Sequence, residues 1–167
     1  MDFSQQAIDL IYSLTSDPRI VVAIISVLPF IELRGGIPVG IVQFGLDPVS
    51  VFLYACAANI AIIPFLYKFL DWFFDLLGKT PLNRFIEKTH RKAHPYVKRY
   101  GLVGLTLFVS VPAPGTGAYT GALAAHIFGM KNKRSMACVA LGVVLAGVVV
   151  TVISTIFRQS MGFLVGL

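Results

Sequence analysis

The sequence predicts an all-α integral membrane protein: an inverted repeat of amphipathic surface helix, re-entrant helical hairpin and transmembrane helix. Three observations carry this prediction. The 167 residues are 56% hydrophobic and only 13% charged, against roughly a quarter charged in ordinary globular chains. Two segments, Val49–Tyr67 and Ser135–Phe157, contain no charged residue and are long enough to cross ~30 Å of hydrocarbon as helices. Two other apolar stretches are interrupted by Gly/Pro-rich motifs, PFIELRGGIPVG (Pro29–Gly40) and VPAPGTGAYTG (Val111–Gly121). Interrupted backbone and ionisable groups are tolerated at membrane depth only where protein buries them or they line a cavity. The whole chain, 1–167, is expected to form one membrane domain, with repeat one at 1–78 and repeat two at 79–167.

The elements follow in order. Phe3, Ala7, Leu10, Ile11 and Leu14 fall on one face of a helix that Ser16-Asp17-Pro18 should end. MDFSQQAIDL has acids where a signal peptide needs basic residues, so no cleaved leader is expected. Ile20–Phe44 is expected to be a hairpin turning near Arg34-Gly35-Gly36, since its arms, Ile20–Ile31 and Ile37–Phe44, are each too short to cross alone. The alternative is a single span with Glu32 and Arg34 near the bilayer centre. Val49–Tyr67 is the first full span. Thr80-Pro81 then opens a basic amphipathic helix carrying Leu82, Phe85, Ile86, Tyr96 and Val97 on its apolar side. Gly101–Gly129 has no Lys, Arg, Asp or Glu, but it holds six glycines together with Pro112 and Pro114. A hairpin turning at PAPGTG is therefore expected, followed by the second span.

Charge sets the orientation. The surplus of +6 is concentrated between Lys79 and Arg99, where Glu87 is the single acid, and in Lys131-Asn132-Lys133-Arg134. In so apolar a chain this reads as cytoplasmic loops and not as a nucleic-acid surface. Both basic segments on one side require Gly101–Gly129 to enter and leave by that same side. Cys56 and Cys138 lie within the spans and are expected to be reduced packing residues. The halves also align. An offset of 81 places Gly36 on Gly117 and Gly40 on Gly121, 82 places Cys56 on Cys138, and 84 places Phe44-Gly45 on Phe128-Gly129. In transporters, inverted repeats put the site near the midplane where the broken elements meet.

The candidate residues come from the two interruptions. Glu32 is the candidate for proton coupling, because a carboxylate in a poorly hydrated site has its pKa raised and can exchange a proton as access alternates. Its other reading is a fixed pair with Arg34, which unwound backbone would have to bring within reach. Arg34 suits a phosphate or carboxylate group, with Gly35, Gly36, Pro38, Pro112, Pro114, Gly115 and Gly117 forming the walls. The glycines serve either as anion-facing backbone or as close-packing positions. Thr116, Tyr119 and Thr120 offer hydroxyls that line a polar path or satisfy freed carbonyls. Asn59 reads as an interhelical hydrogen-bonding residue. His126 reads as an interface histidine or a proton relay. His90 and His94 lie one turn apart with no third metal ligand nearby in sequence. No metal and no cofactor is expected.

IELRGGIPVGI and VPAPGTGAYTGALAA resemble the signature segments of the small multidrug export proteins. That family is distantly similar to the DedA/VTT membrane proteins. The resemblance covers nearly the whole chain. It implies a multi-pass protein of the prokaryotic inner membrane with paired re-entrant hairpins. For the DedA-like relatives it implies proton-dependent transport or scrambling of lipid-linked substrates. Where those relatives carry an arginine-rich second motif, Gly115–Thr120 is uncharged here. The function expected is proton-coupled transport of an amphipathic or lipid-like small molecule through a site formed by the two hairpins. Membrane lipids and protons are the partners expected beside the substrate, in a homodimer or larger homo-oligomer. The rival readings are a scramblase for anionic headgroups and a membrane assembly factor. An enzyme is not expected, since no nucleophile–base set appears.

Overall fold

A computed structural model describes residues 17–29, 31–77, 101–113 and 115–165. The expected surface helices of residues 3–14 and 80–100, with His90 and His94, lie outside the described residues, as does Pro114. Among the described residues every regular element is helical. They divide into two compact units, one from Met1–Asn59 with Leu145–Leu167 and one from Ile60–Val144.

In the first unit, α1 (Pro18–Val27) starts at an Asp17 cap whose carboxylate accepts from the Arg19 N–H at 2.9 Å, with Pro18 in the first turn. The chain breaks after Val27 and resumes as α2 (Glu32–Pro38), which runs into a π-helical turn at Val39–Gln43. Pro38 has no N–H to give the Arg34 carbonyl one turn back, and the widened turn follows directly. Val39 and Phe44, five residues apart, both pack on Val21 and Ile25. α2 runs antiparallel to α1. A β-carbon on Gly36 would run into Ser26 Oγ, and one on Gly40 would lie 2.9 Å from Val22 Cγ2. The first interruption is thus a helical hairpin, but its turn falls earlier than expected. The bend lies between Val27 and Glu32, where Pro29 sits, and Arg34-Gly35-Gly36 are inside the helix that follows. The glycines are placed for close packing and the turn is made elsewhere.

α3 (Pro48–Leu77) begins at Asp47, whose Oδ2 accepts from the Ser50 N–H (2.9 Å) and hydroxyl (3.0 Å). These bonds, the backbone one foremost, hold the Asp47 carboxyl below the usual carboxylate range. Asn59 of α3 donates to the Ser26 carbonyl at 2.9 Å, satisfying the end of α1; this is the interhelical role expected of it. The final part of α6 (Lys133–Val165) packs on the start of α3. Gly147 admits Cys56 Sγ and Phe52, and Arg158 Nη1 donates to the Leu46 carbonyl at 3.3 Å.

In the second unit, α4 (Gly101–Ser110) and α5 (Ala118–Ile127) flank an interruption at Val111–Gly117, where the sequence placed the turn. Val109 fills the space left by both Gly121 of α5 and Gly142 of α6. α6 starts with a reciprocal cap: Asn132 Oδ1 accepts from the Ser135 N–H at 2.8 Å, and the Asn132 N–H reaches Ser135 Oγ at 3.4 Å.

Two local devices occur in both units. Phe44-Gly45 and Phe128-Gly129 each end a hairpin arm, with Gly45 at φ 64° and Gly129 at φ 70°. Asp47 and Asn132 each cap a long helix through a serine three residues on. Pro48–Leu76 and Lys133–Phe163 are long and apolar enough to cross a membrane, yet only 28% and 33% of their most apolar windows are buried. A helix in a soluble core would be mostly covered. Here Leu53, Phe65, Phe69, Trp72, Ile153 and Ile156 are exposed.

Candidate functional site

Glu32 opens α2 with φ 52°, the one left-handed non-glycine residue found among those described. Glutamate has no local side-chain bond that favours this conformation, as asparagine has. The turn tips its carboxylate toward the residue two places on, which a regular helix would point elsewhere. Arg34 Nη1 donates to Glu32 Oε2 at 2.7 Å, with side-chain exposures of 15% for Arg34 and 5% for Glu32. The helix also engages the Glu32 N–H, which donates to the Leu28 carbonyl at 3.0 Å. This unit therefore holds a carboxylate almost out of solvent, on strained backbone, with a cation against it.

Of the proposed walls, Gly36 is buried against Val22 and Ser26, and a β-carbon there would lie 3.1 Å from the Val22 carbonyl oxygen. A β-carbon on Gly35 would run into Ile31 Cγ2, and the Gly35 N–H donates to the Ile31 carbonyl at 3.2 Å. Pro38 sits at the end of α2, before the π turn. A separate pocket in this unit is lined by Arg19, Leu46, Asp47, Ser50 and Tyr54; it involves neither Glu32 nor Arg34.

The second tip belongs to the other unit. Pro112 is exposed, and Gly115, at φ 83°, makes the turn with open space around it. Thr116 Oγ1 donates to the carbonyls of Val111 (2.6 Å) and Ala113 (2.8 Å), and Thr120 Oγ1 to that of Gly117 (3.3 Å). Both hydroxyls thus close the backbone bonds that the break opened. Gly117 is buried at the start of α5, and Tyr119 is half-buried there.

The same unit holds a cluster that the sequence did not reveal. The His126 side chain is fully buried, and its Nε2 lies 2.9 Å from Asp71 Oδ1. Lys131 Nζ is 3.5 Å from the same oxygen. Asp71 is one turn past the charge-free segment, on the part of α3 that continues beyond Tyr67. The available signal was an acid just outside an apolar window and a histidine at the end of the second hairpin, 55 residues apart. Nothing in linear order joins them.

Residues 32–149 match the protein family described as "Putative small multi-drug export protein". That stretch contains Glu32, Arg34, the second tip and the Asp71–His126 pair. No curated protein and no solved structure matches the chain.

Proposed function

The chain belongs to the putative small multi-drug export protein family, and on that premise we propose that it is a proton-coupled membrane transporter for an amphipathic or lipid-like small molecule. The single observation carrying the coupling is Glu32: 5% exposed, left-handed in backbone, and 2.7 Å from Arg34. Protonation of Glu32 removes the charge that holds Arg34. The guanidinium is then available to a substrate phosphate or carboxylate, whose two oxygens match its fork. Loss of the proton restores the ion pair and expels the anionic group. Strain at Glu32 favours this exchange, because the ionised pair is what keeps the turn in place.

The recurring glycine and Asx caps support reading the two halves as a repeat. We place them in opposite orientation in a prokaryotic inner membrane, with residues 79–100 and Lys131–Arg134 cytoplasmic, and each Gly/Pro interruption as a re-entrant hairpin. Two spans leave much apolar helix surface exposed, so a homodimer or larger assembly supplies further cover.

In proteoliposomes under an imposed pH gradient, Glu32→Gln is expected to abolish gradient-driven movement of a fluorescent anionic phospholipid. Helicity and size-exclusion behaviour should be unchanged. Wild-type transport by the variant removes Glu32 from the mechanism. Lipid flipping that needs no gradient and survives the substitution favours the scramblase reading.

A further inference from the structure

The cluster at His126 plays no part in the mechanism above, and its chemistry points in one direction. Asp71 is half exposed and lies beside Lys131, so at neutral pH it is an ionised acceptor. The hydrogen bond it shares with Nε2 therefore fixes the ring proton on that nitrogen. Nδ1 is left as a bare lone pair. It is buried, and among the described residues it has no hydrogen-bond partner. Phe74 stacks on the ring at 5.5 Å and 15°, and Tyr67 meets it edge-on at 5.7 Å and 67°. An unpaired buried lone pair costs free energy that a hydrogen-bond donor recovers, and it is the one ring nitrogen left able to take a proton.

We propose that His126 is a second proton-binding residue, taking a proton at Nδ1 while Asp71 holds the ring and balances the imidazolium charge. The Nδ1–H bond forms as an O–H bond of the donating hydronium breaks, and the hydrogen bond from a neutral imidazole to the Asp71 carboxylate becomes an ion pair between α5 and α3. Asp71 is the positioning residue, and Lys131 lies 3.5 Å from the same carboxylate oxygen. The groups facing the ring and its partner are Asp71 and Tyr67 from α3 and Lys131 from the α5–α6 link. From α6, Ser135 receives the Tyr67 hydroxyl hydrogen bond at 3.1 Å. Protonation then tightens the returning arm of the second hairpin against α3, linking proton uptake to the position of that arm. As a step in coupling, this rests on the transporter reading; as a proton site, it stands apart from it.

The test is ¹⁵N-histidine NMR of the full chain in lipid nanodiscs, with His90→Gln and His94→Gln so that His126 alone reports. The result expected is an Nε2–H tautomer with bare Nδ1, and reversible protonation of Nδ1 as the pH is lowered. Asp71→Asn, at a half-exposed position, should erase the tautomer preference and move proton uptake to lower pH; Asp71→Glu should restore both. Nδ1 unprotonated throughout the range in which the protein stays folded would overturn the proposal. So would an Asp71→Asn spectrum identical to wild type. Glu32→Gln should leave the His126 titration unchanged. His126 titrating in a protein without pH-driven transport would uphold this site and remove the transporter reading; transport with a silent His126 would do the reverse.

Discussion

At Glu32, backbone and side chain make opposing demands. A left-handed glutamate costs about 1–3 kcal/mol, and the ion pair with Arg34 is what the turn gains in return. Removing one member leaves a desolvated charge behind, whereas removing both does not. Arg34→Met is therefore expected to lower stability by about 3 kcal/mol, with most of that recovered when Glu32→Gln is added. Denaturant titration in mixed micelles would read the cycle; a double-variant loss equal to the sum of the two single losses would mean that the pair is not coupled. The two charges were legible in the sequence as ionisable groups in an apolar run. Their pairing was legible as the alternative reading that needed unwound backbone; the left-handed angle at Glu32, which no periodicity encodes, is what supplies it.

The elements show where local pattern suffices and where packing takes over. Both helix interruptions were legible from glycine and proline, and the second falls where expected. The first turn was misplaced because Gly35 and Gly36 read as turn residues, while Gly36 and Gly40 let this arm approach α1 and Gly35 makes room for Ile31. The first span also lies within a longer helix: charge marks the edge of an apolar window, but α3 continues through Lys68 and Asp71 to Leu77. That extension carries Asp71 to His126, which is why the cluster was invisible. Gly142→Ala would put a β-carbon 2.6 Å from Val109 Cβ and 2.9 Å from the Thr106 carbonyl oxygen. A loss of about 1–3 kcal/mol is expected from such overpacking, measurable by thermal unfolding in detergent. Asn132→Ala removes the α6 cap and should cost about 1 kcal/mol.

For the whole molecule, the test that matters is orientation. α3 and α6, with 30 and 33 residues, extend to about 45 and 50 Å at 1.5 Å per residue, longer than ~30 Å of hydrocarbon. Their ends therefore reach into the interfacial layers, where basic residues choose the side. Lys133→Cys is the suitable probe, being exposed and adjacent to the capping Asn132 without replacing it. In intact cells it is expected to resist a membrane-impermeant maleimide and to react after permeabilisation. Labelling from outside would reject the hairpin reading of Gly101–Gly129 in favour of a full crossing. Charge patterning made this expectation legible; the substrate is not, since glycines, prolines and one arginine specify a chemistry without a shape.

The π turn at Val39–Gln43 makes chain length itself a determinant of this region. In an α-helix, residues five apart point about 140° away from each other, yet Val39 and Phe44 share one surface on Val21 and Ile25. Deleting one residue from the turn would return the segment to α-helical phase and rotate everything downstream by about 100°. Phe44 would leave its surface, and Asp47 would present α3 at a different angle. Substitutions at the exposed Val42 or Gln43 should be mild, whereas single-residue deletions at the same positions should be severe. A deletion scan across 39–43 would show sensitivity that follows residue count and not residue type.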